Sequence, residues 1–228
     1  MTRLLYLDRA DAGTALAAAL KKKMDENLLS GRPLVLAIPR GGVPLGRDVA
    51  AALDAELDLV VPRKLGAEGN PEYAIGAVMH DGTLYLNPEA LRITGASPEY
   101  IEEEKSREIK EAGRRLEAYR DGRREPVLSG RVVIVVDDGI ATGATMIAAL
   151  RWVRSRGARV VVAAAPVAPP DTVEELRREA DIVVCPLTPE PFYAIGAFYE
   201  NFAQVSDEEV EGILQEYWAR PTGRTRAQ

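Results

Sequence analysis

The chain has 228 residues, which is enough for one α/β domain or for two smaller ones. Its 29 basic and 35 acidic residues give a formal net charge of −6, so no overall positive field attracts nucleic acid. With one cysteine and one histidine, the sequence excludes a disulfide framework and a zinc site built from those residues. It contains neither an apolar run of the roughly 20 residues that a membrane helix needs nor a signal-peptide core, so we expect a cytoplasmic protein without a membrane partner.

The first part of the chain predicts a helix, a strand and a second helix. The Ala- and Leu-rich segment through Leu16 and Leu20 predicts the first helix. Residues 34–38 form a short apolar run between turn residues, which is typical of a buried strand. Apolar residues then recur at four-residue intervals across residues 45–53 and predict the second helix.

The connection between that strand and the second helix is the sequence PRGG, residues 39–42. Gly41 and Gly42 free the backbone to turn its N–H groups toward an anion, and Arg40 adds a fixed positive charge. The connection therefore predicts a phosphate or pyrophosphate site. An ordinary strand-to-helix turn explains the same residues equally well when they are taken alone.

The middle of the chain predicts a third strand at residues 57–61, which brings Arg63 and Lys64 to the same carboxyl edge of a sheet. The segment that follows has the Gly, Asn and Pro punctuation of a long mobile segment, with a hairpin that turns at residues 81–82. An ordinary surface hairpin is the alternative interpretation. A long helix is then predicted to begin after Ser97.

The most informative stretch begins with five apolar, mostly β-branched residues at 132–136, which predict a strand buried on both faces. Asp137 and Asp138 follow at the place where an open α/β sheet binds its ligands. The small and hydroxylated residues at 139–145 suit a phosphate-binding turn at the start of a helix. The stretch predicts a site for a phosphorylated polyol, with loop amides and a helix N-terminus for the phosphate and two carboxylates for sugar hydroxyls. It matches neither the Walker loop nor the dinucleotide fingerprint. A purely structural turn with two solvated aspartates is the alternative.

The last third of the chain continues the alternation of strands and helices. A buried strand is predicted at residues 160–165, and a helix begins near Pro170. An aromatic-rich segment follows at residues 188–204, whose rings could all belong to the core, and Ser206 predicts the start of a terminal helix. The whole pattern predicts a doubly wound α/β fold with a mostly parallel central sheet.

The two loops together resemble those of a known family. Residues 132–145, VVIVVDDGIATGAT, resemble the 5-phosphoribosyl 1-diphosphate (PRPP) loop of type I phosphoribosyltransferases, and residues 39–42 resemble the pyrophosphate loop of the same family. The resemblance implies one domain over residues 1–228 with a small hood formed by terminal and inserted segments. It implies a core at about 31–186, a flexible lid or hairpin at about 65–88, and hood contributions from 1–30 and 187–220.

The resemblance also implies roles for individual residues. Asp137 and Asp138 would bind the ribose hydroxyls, and the peptide bond between Pro39 and Arg40 would be cis. The residues implied to bind PRPP are Arg40, Gly41, Gly42, Asp137, Asp138, Ala141, Thr142, Gly143, Ala144 and Thr145. The residues implied in catalysis are Arg40, Lys64, Asp137 and Asp138.

The aromatic segment resembles the part of purine phosphoribosyltransferases that holds the base. By that resemblance Phe192 or Tyr193 would stack on the base, and Glu200 would approach the metal and the pyrophosphate. Ala141 stands where hypoxanthine-guanine-type relatives carry an aspartate and adenine-type relatives carry an alanine. The resemblance therefore leaves the identity of the base open.

The implied activity is Mg²⁺-dependent transfer of the 5-phosphoribosyl group of PRPP to a nitrogenous base, a purine or a related compound, with release of pyrophosphate. Such a reaction belongs to nucleotide metabolism, and its partners are PRPP and the base. Nucleic acid is not expected, and a homo-oligomer is left open. The main alternative is a regulator that senses PRPP without turnover. A hydrolase that shares the fold would need a nucleophile elbow, which the sequence lacks.

Overall fold

The computed structural model describes residues 5–24 and 32–220 of the chain. In this part the strands are β1 (Leu34–Ala37), β2 (Glu56–Leu59), β3 (Arg63–Ala67), β4 (Asn70–Val78), β5 (Leu84–Leu86), β6 (Val132–Val136), β7 (Val160–Ala164) and β8 (Ile182–Val184). The α-helices are α1 (Arg9–Lys23), α2 (Gly42–Ala52), α3 (Pro88–Thr94), α4 (Pro98–Arg120), α5 (Ala144–Ser155), α6 (Pro170–Leu176) and α7 (Asp207–Ala219), and a short 3₁₀ helix covers Ile195–Phe198.

A five-stranded sheet with the order β2-β1-β6-β7-β8 forms the centre of the molecule, and all of its strand pairs are parallel. The chain leaves β1 through α2 toward one edge of the sheet and leaves β6 through α5 toward the other. The order of the strands therefore reverses between β1 and β6. At such a switch point the two outgoing loops diverge and leave a crevice beyond the carboxyl ends of the strands.

Helices cover both faces of this sheet, as the unbroken apolar runs of its strands predict. Val35 and Ile134 face a core that also contains Leu16 of α1 and Leu45 of α2. Alternate residues, such as Val133, face a second core that contains the buried residues of α5. The doubly wound α/β fold expected from the sequence is confirmed.

A smaller antiparallel sheet, β3-β4-β5, follows β2 in the chain. Its apolar face buries Leu65, Ile75 and Val78 against residues of α3 and α4. The hairpin turn expected at residues 81–82 is present, because Gly82 N–H donates to the carbonyl of Met79 at 3.0 Å. The segment expected to be mobile forms paired strands with an exposed connection near Gly69, and its mobility and its lid role stay predictions.

The first described residues pair with the segment that precedes α7. Tyr6 N–H donates to the Phe198 carbonyl at 2.9 Å, and Glu200 N–H donates back to the Tyr6 carbonyl at 2.8 Å. Near the end of α7, Trp218 Nε1 donates to the Leu57 carbonyl at 2.8 Å. The proposed hood stays a prediction, and parts of it at residues 1–4 and 25–30 lie outside the described residues. Within the part of the chain that the structure describes, no helix is both long and apolar enough to cross a membrane.

Candidate functional site

The two loops that the sequence singled out lie together at the switch point. β1 and β6 pair in parallel, with Ala37 opposite Val136, so their carboxyl ends are adjacent. The peptide bond between Pro39 and Arg40 is cis, as the family resemblance implies. A Cβ atom placed on Gly41 would lie only 1.8 Å from Asp138 Oδ2, so the backbone of the first loop rests directly on a carboxylate of the second. Glycine is required at this position because any side chain would displace the carboxylate.

The two acids at the end of β6 have different environments. Asp137 Oδ1 accepts a hydrogen bond from the Asp138 N–H at 2.8 Å. Burial of its carboxyl group, followed by the negative charge of Asp138, raises the pKa of Asp137 well above its usual range. Burial also raises the pKa of Asp138, but the guanidinium of Arg9 opposes that rise. The pair therefore carries less negative charge than two solvated aspartates would.

Side chains from outside the predicted loops also form hydrogen bonds with the second loop. Arg9 Nε and Nη2 both lie 2.8 Å from Asp138 Oδ2. The Tyr199 hydroxyl donates to the backbone carbonyl of Asp138 at 2.5 Å. Thr172 Oγ1 donates to the carbonyl of Ala141 at 2.7 Å, which attaches the first turn of α6 to the predicted phosphate loop.

The predicted phosphate loop leads directly into α5. Gly143 adopts φ +76°, a left-handed conformation that side chains disfavour, and α5 begins at the next residue, Ala144. Ala141 and Thr142 are exposed, whereas Thr145 is half-buried in the first helical turn. The loop thus leaves accessible backbone at the positive end of a 12-residue helix, an arrangement that suits a phosphate group.

The two predicted cationic residues lie on different elements. Arg40 is in the first loop, and its Nη1 lies 3.9 Å from Asp207 Oδ1 at the start of α7. Lys64 lies on β3, where its Nζ donates to the Glu72 carbonyl at 3.2 Å and to the Glu72 carboxylate at 3.3 Å. The geometry therefore joins Arg40 to the two loops, while the partners of Lys64 belong to the smaller sheet. A catalytic role for Lys64 stays a prediction.

The residues predicted for the base and the metal lie in the segment after β8. Phe192 stacks on Phe198 with ring centroids 5.1 Å apart, and Tyr193 is 86% exposed. Glu200 is exposed, and its backbone N–H is bound to Tyr6. Across residues 5–24 and 32–220, no group of three or more His, Cys, Asp or Glu side chains is arranged to hold a metal ion.

A cavity of about 250 Å³ lies between this segment and the first turn of α6. Its lining consists of prolines, two acids and one aromatic ring, namely Pro169, Pro170, Asp171, Pro189, Glu190, Pro191 and Phe192. Thr172, the residue after Asp171, is the one that binds the predicted phosphate loop. The cavity is therefore next to that loop.

Comparison with known proteins agrees with this geometry. The family model described as the phosphoribosyl transferase domain matches residues 6–199. A Mycobacterium tuberculosis protein named "Putative phosphoribosyl transferase Rv0571c" is 44% identical over 211 residues, which are 92% of this chain and 46% of that protein. The crystal structure of TT1426 from Thermus thermophilus has a TM-score of 0.77 and 46% identity, and the match covers 93% of this chain and 99% of that chain.

The chain thus spans about half the length of the mycobacterial protein, at 46%, and nearly all of the Thermus chain, at 99%. The matched residues 6–199 include both loops and every strand of the central sheet. The chain therefore belongs to the phosphoribosyl transferase domain family.

Proposed function

We propose that the chain is a Mg²⁺-dependent phosphoribosyltransferase that binds PRPP across the β1–β6 switch point and transfers its phosphoribosyl group to a nitrogenous base. The observation that carries this proposal is the direct contact of the two loops, in which the backbone of Gly41 rests on the carboxylate of Asp138. This contact sets the predicted pyrophosphate loop against the predicted ribose-binding acids, so one extended phosphorylated sugar can touch both.

In the proposed reaction, the lone pair of the acceptor nitrogen forms a bond to C1 of the ribose. The bond between C1 and the pyrophosphate oxygen breaks, and pyrophosphate leaves with the bonding electrons, while the acceptor nitrogen loses its proton. Negative charge develops on the departing oxygen. Arg40 and the amides of Gly41 and Gly42 are placed to stabilise that charge, and each donor can contribute about 3–4 kcal/mol to such a step.

The two acids are the proposed ribose ligands. A carboxylate accepts hydrogen bonds from the 2′- and 3′-hydroxyls, so two adjacent acids can bind both hydroxyls of one ribose. The exposed backbone at Ala141 and Thr142 would hold the 5′-phosphate at the start of α5. These contacts orient C1 toward the acceptor. Such orientation of the reacting atoms lowers the activation barrier of a displacement reaction.

The carboxylate groups near the two loops fit a hard cation that is coordinated mainly by oxygen atoms of the substrate. The described residues offer carboxylate oxygens but no cluster of three ligands, and Mg²⁺ commonly keeps water and phosphate oxygens with only one or two carboxylates. Glu200 is the protein group that we propose for this ion. When bound, Mg²⁺ would neutralise part of the charge on the pyrophosphate.

The cavity beside Phe192 is the proposed position of the base. Its volume of about 250 Å³ and its lining of prolines and one phenylalanine suit a small aromatic heterocycle, and Tyr193 is exposed next to Phe192. The charged groups that line the cavity are both acids, Asp171 and Glu190. This lining favours a neutral acceptor with N–H donors, such as a purine, over an acceptor that carries a carboxylate.

The experiment that tests the function measures pyrophosphate release from Mg·PRPP with a panel of purines, pyrimidines and other nitrogen nucleophiles. We expect release that depends on one base or a few related bases, and no release by the variant that carries both Asp137→Asn and Asp138→Asn. Failure of the wild-type protein to bind PRPP would contradict the proposal. PRPP binding without release across the panel would favour a PRPP-sensing regulator instead.

A further inference from the structure

Arg9, the first residue of α1, forms an ion pair with the second acid, Asp138. Its Nε and Nη2 both lie 2.8 Å from Asp138 Oδ2, although 129 positions separate the two residues in the chain. The side chains of Arg9 and Asp138 are only 13% and 11% exposed. The ion pair is therefore largely shielded from water. The interaction energy of such a pair depends more strongly on its geometry than that of a surface pair does.

The guanidinium of Arg9 is held on its other sides by the segment after Tyr199. Its Nη1 donates to the Ala203 carbonyl at 2.5 Å. Its central carbon lies 4.0 Å from the centroid of the Phe202 ring, which suits a cation–π contact. A planar group that is fixed at two edges and one face has a single orientation, a restraint that a lysine ammonium could not reproduce.

Asp138 is restrained from three directions as a result. Arg9 binds Oδ2, the Gly41 backbone packs against the same carboxylate, and the Tyr199 hydroxyl binds the Asp138 carbonyl. Ribose recognition requires the carboxylate to point in one direction, because a hydroxyl donates along one bond. The restraints come from the first helix, from the loop after β1 and from the segment before α7, and Arg9 supplies the only one of the three that is an ion pair.

We propose that Arg9 is a positioning residue for ribose binding, which holds the Asp138 carboxylate in the orientation that accepts a ribose hydroxyl. This inference rests on the proposed function, because it assumes that Asp138 contacts the ribose of PRPP. By this inference, α1 and the segment around Phe202 also contribute to ribose binding, through the position of Arg9. It also separates the ribose half of the site, which depends on Arg9, from the pyrophosphate half, which depends on the first loop.

The test compares three ligands that occupy different halves of the site: PRPP, ribose 5-phosphate and pyrophosphate, each titrated calorimetrically with Mg²⁺. We expect Arg9→Gln to weaken PRPP and ribose 5-phosphate binding by about 10- to 100-fold, the effect commonly seen when a group that orients a ligating side chain is removed. Pyrophosphate binding should stay within about twofold of wild type. Arg9→Lys, which keeps the charge without the planar fork, should recover part of the lost affinity.

Arg47→Gln is the matched control. Arg47 lines the same surface cavity of about 240 Å³ as Arg9, but its Nε binds Asp48 at 2.8 Å, and we assign it no role in the site. This variant should bind all three ligands as the wild type does. If Arg9→Gln folds poorly, Phe202→Leu removes the ring beneath the guanidinium and should produce the same selective loss in weaker form.

Two results would overturn the inference alone: unchanged PRPP affinity in Arg9→Gln, or an equal loss for all three ligands, which would indicate a merely structural ion pair. A wild-type protein that binds no PRPP would instead overturn the proposed function and this inference with it. The wild-type titration is therefore measured first, so that the two failures are told apart.

Discussion

At the level of single residues, the adjacent side chains of Asp137 and Asp138 are chemically identical but have different electrostatic environments. Asp138 is paired with Arg9, whereas burial and the charge of Asp138 act on Asp137 and raise its pKa. Burial therefore penalises the charged form of both acids, and Arg9 offsets part of that penalty mainly at Asp138. This asymmetry separates the effects of two otherwise identical substitutions.

We expect Asp137→Asn to be at least as stable as the wild type at pH 8, and Asp138→Asn to lose about 3 kcal/mol, because it leaves Arg9 buried without its partner. The pKa of Asp137 is raised by folding, so its stabilising contribution is complete below the unfolded value of about 3.9 and is lost as the pH rises through the folded value. The melting temperature of Asp137→Asn, relative to that of the wild type, should therefore rise as the pH increases from about 4 to about 8. Thermal melts across that range measure the gap, and a gap that narrows with rising pH would contradict the assignment.

At the scale of elements, α4 connects the smaller sheet to the central one, and its last residue is the anchor. Arg120 Nε lies 3.1 Å from Asp58 Oδ1 on β2, and both side chains are only 7% exposed. Arg120 Nη2 also donates to the Leu59 carbonyl at 3.3 Å. The same helix contributes Tyr119, whose hydroxyl binds Asp207, the residue that faces Arg40 across 3.9 Å. The end of α4 thus supports both β2 and the surroundings of the first loop.

Loss of this anchor should be costly, because it leaves a buried carboxylate without its cation. We expect Arg120→Gln to lower the free energy of unfolding by about 3–5 kcal/mol. Arg114→Gln is the matched control on the same helix, since Arg114 is 66% exposed and water screens its pair with Glu111, so its loss should change stability little. Urea denaturation of both variants measures the difference. Equal losses would show that burial does not set the strength of these pairs.

At the scale of the whole molecule, the proposed PRPP site joins parts of the chain that are far apart in sequence. Arg9 opens the first helix, Gly41 and Asp138 follow two central strands, and Tyr199 and Phe202 belong to the segment before the last helix. A ligand that bridges these parts should resist unfolding of the whole domain. Binding to the folded state alone stabilises by mass action, in proportion to the logarithm of ligand concentration.

We therefore expect Mg·PRPP at about 100 times its dissociation constant to stabilise the protein by about 2.7 kcal/mol, which raises the melting temperature of a chain of this length by about 5–10 °C. The Gly41→Ala variant should show no such rise, because its methyl group would meet the Asp138 carboxylate. Differential scanning fluorimetry with and without Mg·PRPP measures both shifts. A full shift in Gly41→Ala would mean that the ligand binds elsewhere.

The central strands, the two loops and the family can be predicted from the amino-acid sequence alone. Strands buried on both faces require unbroken β-branched runs, as at residues 132–136, and a close backbone approach requires glycine, as at Gly41. The turn at residues 81–82 was predictable for the same local reason. The strands β3 and β4 on either side of Gly69 were harder to predict, since their pairing and the packing of their apolar residues against α3 and α4 outweighed the loop-like composition of the segment.

The distant side chains that complete the site can be identified only from the folded protein. Arg9 lies in an ordinary helix start, Thr172 in a helix turn and Phe202 in an aromatic-rich segment, and each suits a merely structural role in its local sequence. Their contacts with Asp138, Ala141 and Arg9 arise because the parallel sheet brings the ends of its strands to one edge and the helices pack over that edge. Local periodicity carries no information about such contacts, because the distance between the partners is set by packing and not by their separation in the chain.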